Sequence, residues 1–201
     1  NLFKIMNLTQ GSSQQKNKRA KKMMLWFGIV SLIMSFGGLT SAFIVSSSRE
    51  DWLNDFELPN AFFISTIIIT FSSLVFIAAK KALLKEKYLL SQSLVLGVFV
   101  LGLAFIYNQF LGFNELIISG YNFTGPTSNI TMSYIYIIAV AHILHVIAGL
   151  ISLAIVIVKH FKKQYTPSSK LGFDIASTFW HFIDLLWVYL FLFLYFFNKI
   201  N

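Results

Sequence analysis

The sequence predicts an all-α membrane protein with five transmembrane helices. Its composition is the first reason: hydrophobic residues make up 56% of the 201 positions and charged residues only 12%, whereas a soluble domain carries roughly 25% charged residues. The second reason is five continuous apolar runs, at about 23–45, 59–79, 88–111, 132–158 and 174–197. Each run can cross a hydrocarbon core as a helix, which takes roughly 20 residues. The first run is too long for the apolar part of a cleavable signal peptide.

The basic residues orient these helices. All but Arg49 and Lys199 of the 16 Lys and Arg residues lie before the first run, between the second and third, or between the fourth and fifth. Because the side rich in Lys and Arg is cytoplasmic, we expect a cytoplasmic N-terminus and a periplasmic C-terminus. The division is then a basic cytoplasmic segment at 1–22 and a membrane domain at 23–201, multi-pass in a bacterial inner membrane. No nucleic-acid partner is expected, since that would need the basic residues on one soluble face.

The ionisable residues within the runs lie mostly in the last two. His142 and His145 are three residues apart and share a helix face, as do His181 and Asp184. Ionisable groups at membrane depth are costly and usually face a partner. The estimated depths of His145 and Asp184 differ by roughly 5 Å at about 1.5 Å per residue. We therefore expect a polar network that joins the fourth and fifth helices through a His145–Asp184 or a His142–His181 pair.

Chemistry on a metal or a substrate is the alternative use of these residues. Histidines on two helices can be axial ligands of a haem, a His-x-x-His spacing can contribute to a metal site, and a proton or ion path can use the same groups. The chain has no cysteine, which excludes disulfides, thiolate nucleophiles and iron–sulfur clusters. There is no glycine-rich phosphate loop and no paired-carboxylate site. The sequence favours a structural network, with no catalytic residue and no metal ligand in this chain.

Four motifs carry a family resemblance. The run Phe-Trp-His-Phe-Ile-Asp-Leu-Leu-Trp at 179–187 resembles the Tyr-Trp-His-Phe-Val-Asp-x-x-Trp signature of subunit III of haem–copper cytochrome c oxidases. His-Ile-Leu-His-Val-Ile-Ala-Gly at 142–149 is similar to that family's His-Gly-Leu-His-Val-x-x-Gly run. Residues 172–174 resemble its Gly-Phe-Glu stretch, and 58–73 its helix with Pro, Asn-Thr and Ser-Ser. The chain is identified as a member of this family in its short, five-span bacterial form.

The resemblance implies a function for the whole chain. Family members are non-catalytic accessory subunits of proton-pumping terminal oxidases, which reduce oxygen to water with electrons from cytochrome c or quinol. They pack on the catalytic subunit I, bind phospholipid, and support proton uptake and stability. Haem and copper then lie in partner subunits, and this chain holds no cofactor. A larger respiratory supercomplex is a further partner that the resemblance allows.

The predicted site residues fall into two groups. Helix packing and the polar network are expected to use eight residues: His142, His145, Gly149, Asp174, Trp180, His181, Asp184 and Trp187. Contacts with lipid headgroups are expected from five lysines at the cytoplasmic ends: Lys80, Lys81, Lys159, Lys162 and Lys163. Two departures from the family pattern matter. Ile143 replaces a glycine, and residues 23–48 lack the buried Glu that the family commonly carries in that helix, so a proton-linked role of that Glu does not carry over.

Two other classes of function stay open at this level. One is the subunit III homologue associated with nitric-oxide reductases, which shares the fold. The other is an independent haem-binding cytochrome or small transporter. Transporters often show broken helices in paired repeats, and these runs show little interruption by Gly or Pro.

Overall fold

The computed structural model is all-helical, and it describes residues 12–53, 58–125, 128–167 and 169–200, without the side chains of 198–200. Five long helices follow one another: α1 (Ser13–Ser46), α2 (Asn60–Leu84), α3 (Tyr88–Ile118), α4 (Ile130–Phe161) and α5 (Leu171–Ile200). In the described ranges all five helices are long and apolar enough to cross a membrane. The predicted fold class of five apolar helices is confirmed.

Four of the helices form a closed ring. Helix α2 packs against α3, α3 against α4, α4 against α5, and α5 returns to α2. Helix α1 packs outside this ring against α4 and α5. Large aromatic side chains fill the interior, and several are completely buried: Phe62, Phe76, Phe105, Phe173, Trp180 and Trp187.

The outer surface of the bundle is also apolar. Leu89 keeps 82% of its surface exposed, Ile118 78% and Met34 72%. Exposed apolar patches of this extent are unfavourable in water and mark contact with a membrane or a protein. The helices therefore bury one set of apolar side chains against one another and present another set, aliphatic and aromatic, on the outer surface.

The two ends of the bundle differ in charge. The start of α1, the α2–α3 connection and the α4–α5 connection meet at one end, which we call the basic end because nearly all the Lys and Arg residues of the described ranges lie there. At the opposite end, the connection after α1 docks on α4: the Leu53 amide donates to Thr131 Oγ1 at 2.9 Å, and Asn129 Nδ2 donates to the Asp51 carbonyl at 3.2 Å. Trp52 packs there on Phe43, with ring centroids 4.8 Å apart.

Helix α1 begins ten residues before the predicted first span. Ser12 accepts a hydrogen bond from the Gln15 amide, and the Gln15 side chain accepts one from the Ser12 amide, which forms a capping box. Ser12 is therefore the N-cap, and the polar residues that follow it form the first turn of the helix. Hydropathy detects the stretch that crosses the membrane, whereas the cap decides where the helix begins. At about 1.5 Å per residue α1 is roughly 50 Å long, which is longer than the hydrocarbon core.

Candidate functional site

A line of polar side chains joins α2 to α5, and we call it the polar seam: Thr66, Ser72, Ser73, Trp180, His181, Asp184 and Trp187. The indole N–H of Trp180 donates to Ser72 Oγ at 3.0 Å, and that of Trp187 donates to Thr66 Oγ1 at 3.0 Å. Both hydroxyls also donate to carbonyls of their own helix, at 2.8 Å each. Each hydroxyl therefore bridges the backbone of α2 and an indole of α5.

His181 and Asp184 lie between the two tryptophans of the seam. His181 Nδ1 shares a hydrogen bond of 2.5 Å with Ser73 Oγ. Asp184 is 3% exposed, and its Oδ2 lies 3.5 Å from Ser72 Oγ. Its Oδ1 has no hydrogen-bond partner in the described part of the chain. Asp184 is thus a buried carboxyl beside the Ser72 hydroxyl, while the ion pairs found among the described residues lie near the helix ends.

The first two histidines of α4, His142 and His145, have different partners. His142 is completely buried, and its Nε2 donates to the backbone carbonyl of Ile183 on α5 at 3.1 Å. Its ring also contacts Phe105 and Trp187, with centroids 5.6 and 4.9 Å apart. His145 Nδ1 donates to the Ala141 carbonyl of its own helix at 2.7 Å, and its ring lies edge-on to Phe36 of α1.

The predicted pairing of these groups is wrong. Neither a His145–Asp184 nor a His142–His181 hydrogen bond forms, because His181 and Asp184 face the hydroxyls of α2 and not α4. The estimate compared depths along two helices, but depth does not say which face of α5 a residue occupies. Helix α5 has two neighbours in the ring, α2 and α4. The face of α5 that carries His181 and Asp184 lies against the serines of α2, whereas the prediction expected it to lie against α4.

Glycines on neighbouring helices let the Trp180 side chain reach the centre of the four-helix ring. A Cβ at Gly149 of α4 would lie 3.1 Å from the Trp180 ring, and one at Gly102 of α3 would lie 2.6 Å from its Cη2 atom. The sequence analysis singled out Gly149 but missed Gly102, because nothing in the pattern around Gly102 distinguishes it from Gly97. A Cβ at Gly112 of α3 would lie 2.4 Å from the ring of Phe62 of α2. The sequence analysis missed this second close approach as well.

Asp174 and the five lysines all lie at the basic end. Asp174 is 2.8 Å from the Lys80 ammonium, which links the first turn of α5 to α2. Lys81, Lys159, Lys162 and Lys163 are exposed. Lys159 and Lys162 line one groove beside Ile155 and Val158, whereas Lys163 lines a separate cavity between α3 and α4.

The sequence analysis also missed two buried polar residues. His160 lies two residues past the predicted end of the fourth span and was not among the predicted site residues. It is nevertheless 1% exposed and bonded to Ser91 Oγ at 2.9 Å. Gln109 of α3 is fully buried, and its amide has no partner in the described ranges. Within those ranges no three His, Asp or Glu residues come together as a metal site.

Comparison with known proteins assigns the family. The model of the family described as cytochrome c oxidase subunit III matches residues 9–199. The cytochrome bo(3) ubiquinol oxidase subunit 3 of Buchnera aphidicola subsp. Acyrthosiphon pisum is 29% identical over 199 residues, or 95% of this chain and 93% of the relative. The Pseudomonas putida protein of the same name is 31% identical over 172 residues, covering 82% and 76%.

A third relative has a different chain organisation. The heme-copper oxidase subunit I+III of Aeropyrum pernix is 25% identical over 177 residues, which cover 83% of this chain but 21% of that much longer protein. The match of the family model spans nearly all of the described helices, including both motif-bearing helices α4 and α5. The chain therefore belongs to the cytochrome c oxidase subunit III family.

Proposed function

We propose that this chain is the non-catalytic accessory subunit III of a proton-pumping haem–copper terminal oxidase, the complex that reduces oxygen to water. One observation carries the accessory role beside the family membership. Trp180, His181 and Trp187 of the family signature each bond a hydroxyl of α2 in the same chain. The polar groups of the signature are used for packing between helices, and haem and copper belong to partner subunits.

Subunit I is the principal partner in this proposal. The printed name of the Aeropyrum pernix relative joins subunits I and III in one polypeptide, which supports packing of this chain on a catalytic subunit. The relatives named ubiquinol oxidase support quinol as the electron donor of the complex, and the family description supports cytochrome c. Electrons and oxygen would reach the partner subunit and not this chain.

The basic end is proposed to face the cytoplasm in a bacterial inner membrane. The N-terminus is then cytoplasmic and the end of α5 periplasmic, because five helices alternate in direction. Basic residues beside spans attract anionic lipid, so exposed Lys81, Lys159, Lys162 and Lys163 are proposed to contact headgroups. Lys80 has an alternative partner in Asp174.

Support for proton uptake is proposed to be indirect. Helix α1 has no acidic residue between 23 and 46, so it lacks a carboxyl that could exchange protons with a neighbouring subunit. The buried carboxyl of Asp184 lies instead in the seam between α2 and α5. The chain would therefore support proton uptake by stabilising the catalytic subunit, and not through a carboxyl of α1.

Purification through a tag on this chain tests the proposal. The native membrane is solubilised in a mild detergent, and the eluate is examined by a reduced-minus-oxidised spectrum and by identification of the co-purifying proteins. We expect haem absorbance together with a large haem–copper subunit, and loss of that absorbance when this chain is isolated alone. A chain that keeps a haem band on its own would overturn the accessory role and make His142, His145 and His181 ligand candidates.

A further inference from the structure

Two buried polar side chains in the middle of the bundle carry atoms that no described residue satisfies. Gln109 of α3 is 0% exposed, and neither its Nε2 nor its Oε1 has a hydrogen-bond partner within the described helices. His142 of α4 is also 0% exposed, and the same holds for its Nδ1. A buried polar atom without a partner costs free energy, and ordered water is a common partner of such atoms in folded proteins.

The bond that His142 makes to α5 decides what its second ring nitrogen can do. Its Nε2 lies 3.1 Å from the Ile183 carbonyl, and a carbonyl only accepts, so Nε2 carries the proton. An imidazolium buried at membrane depth is costly, and the neutral ring has only one N–H. Nδ1 is therefore an acceptor that needs a hydrogen-bond donor.

Helical periodicity places Gln109 opposite His142. At the basic end, His160 of α4 bonds Ser91 of α3, with Nε2 and Oγ 2.9 Å apart. Gln109 follows Ser91 by 18 residues, and His142 precedes His160 by 18 residues. Eighteen residues make five complete turns at about 3.6 residues per turn. In these antiparallel helices, Gln109 and His142 therefore return to the two faces that Ser91 and His160 occupy, about 27 Å further along.

Aromatic contacts on both sides of this level show that α3 and α4 stay together there. The ring centroid of Phe105, one turn before Gln109, lies 5.6 Å from that of His142. The centroid of Phe113, one turn after Gln109, lies 5.2 Å from that of Tyr136. Side chains on a helix lean toward its N-terminus, so in antiparallel helices Gln109 and His142 lean toward one another.

We propose that Gln109 and His142 bind an internal water molecule that joins α3 to α4. The water donates to His142 Nδ1 and bonds the Gln109 amide, which offers both a donor and an acceptor. The bond at Ser91 is direct because His160 presents Nε2, at the tip of its ring. His142 has committed Nε2 to α5, so it presents to α3 the nitrogen nearer its own backbone, and the water supplies the missing length.

A high-resolution map tests the site directly. The tagged wild-type complex, solubilised in a mild detergent, is imaged by cryo-electron microscopy to a resolution at which ordered water is visible. We expect a density peak within hydrogen-bond distance of both His142 Nδ1 and the Gln109 amide. A map without that peak, or one in which the amide contacts the imidazole directly, would overturn the proposal.

Substitution of Gln109 gives a second test, in which the sign of the effect decides. If the amide has no partner, Gln109→Leu removes a buried unpaired group, and the melting temperature should stay equal or rise. With a bridging water, Gln109→Leu leaves His142 Nδ1 without its donor, and the melting temperature should fall. In the His142→Leu background the same substitution should no longer lower it. A rise in both backgrounds, or an equal fall in both, would overturn the proposal.

Asn108→Leu is the matched control for this cycle. Asn108 is the neighbour of Gln109, but its Nδ2 donates to the Ala104 carbonyl of its own helix at 3.0 Å. Its effect should be the same with and without His142, and an equal dependence of both substitutions on His142 would count against the water. The inference goes beyond the accessory role and does not rest on it, because every group lies in this chain. If no haem subunit co-purifies, the oxidase assignment fails, while the melting temperatures of the chain still test the water.

Discussion

Trp180 lies where four helices meet. It belongs to α5, its N–H donates to Ser72 of α2, and its ring lies over Gly102 of α3 and Gly149 of α4. One side chain therefore closes the ring of helices, with a hydrogen bond on one side and close packing on the other two. Small residues at membrane-helix interfaces serve this purpose, because backbones must approach closely where apolar burial gives little driving force.

The close approach at Gly102 makes a sharp prediction. A Cβ in Gly102→Ala would lie 2.6 Å from the Trp180 ring and 2.8 Å from Leu150, so α3 must shift or the indole must leave Ser72. Overpacking of this kind costs about 1–3 kcal/mol. The melting temperature of the purified complex in detergent should fall clearly.

Gly97→Ala is the matched control for this change. Gly97 lies in the same helix with nothing within 4 Å of its would-be Cβ, and alanine is favoured over glycine in a helix by up to about 1 kcal/mol. Its melting temperature should stay equal or rise. Equal effects of the two substitutions would contradict the packing described for Trp180.

His142 gives a second prediction at the scale of one residue. Its Nε2 donates to the Ile183 carbonyl, and an interhelical hydrogen bond in a membrane protein contributes about 0.6 kcal/mol on average and up to about 1.7. His142→Leu should lower the melting temperature of the complex. His142→Gln keeps an amide donor and should lower the melting temperature much less. A haem spectrum unchanged in both variants is expected, and its loss in both would reopen a ligand role for this histidine.

At the scale of whole helices, the contact between α2 and α5 changes character along its length. The polar seam provides hydrogen bonds within the apolar part, and the Lys80–Asp174 ion pair joins the two helices at the basic end. Between them Phe76 packs on Phe173, with ring centroids 5.4 Å apart. The contact is thus anchored by hydroxyls and indoles inside the membrane and by charges near its surface.

The ion pair at this contact is expected to contribute little. The side chains of Lys80 and Asp174 are 38% and 28% exposed, and solvent-exposed pairs typically contribute about 0.2–1 kcal/mol. A double-mutant cycle with Lys80→Ala and Asp174→Ala should therefore give a coupling energy below about 1 kcal/mol that shrinks as salt is added. Lys81 is one residue away and exposed, so Lys81→Ala should show no coupling to Asp174. A coupling energy of several kcal/mol between Lys80 and Asp174 would contradict the solvent-screened geometry.

Sequence analysis predicted these elements better than it predicted their partners. Hydropathy finds a helix that crosses lipid because its whole length must be apolar, so all five helices were predicted. The spacing of His181 and Asp184 correctly placed both on one face of α5, but nothing in the spacing says that Ser72 and Ser73 of α2 cover that face. His160 was missed because it lies beyond the apolar run. Only the fold shows that the α4–α5 connection, through Tyr165, covers it.

For the whole molecule, the ring of α2–α5 and the peripheral α1 make different demands on the sequence. The ring needs small and hydroxyl residues at its contacts, and it has them at Gly102, Gly149 and Ser72. Helix α1 is held along its second half, where Phe36 lies against His145 and Phe43 packs on Trp52, Tyr134 and Phe193. Helix α1 also has fewer close backbone contacts with the ring than the ring helices have with one another.

The orientation of the whole bundle is the last prediction. Since the basic end collects the Lys and Arg residues, it should face the cytoplasm. Alkaline phosphatase, which folds only outside the cytoplasm, should be active when fused after residue 201 and inactive when fused after residue 167 in the α4–α5 connection. A fluorescent protein that matures only in the cytoplasm should give the reverse pattern. The opposite pair of results would mean that the bundle is inverted, and the lysines at the basic end would then face the periplasmic leaflet.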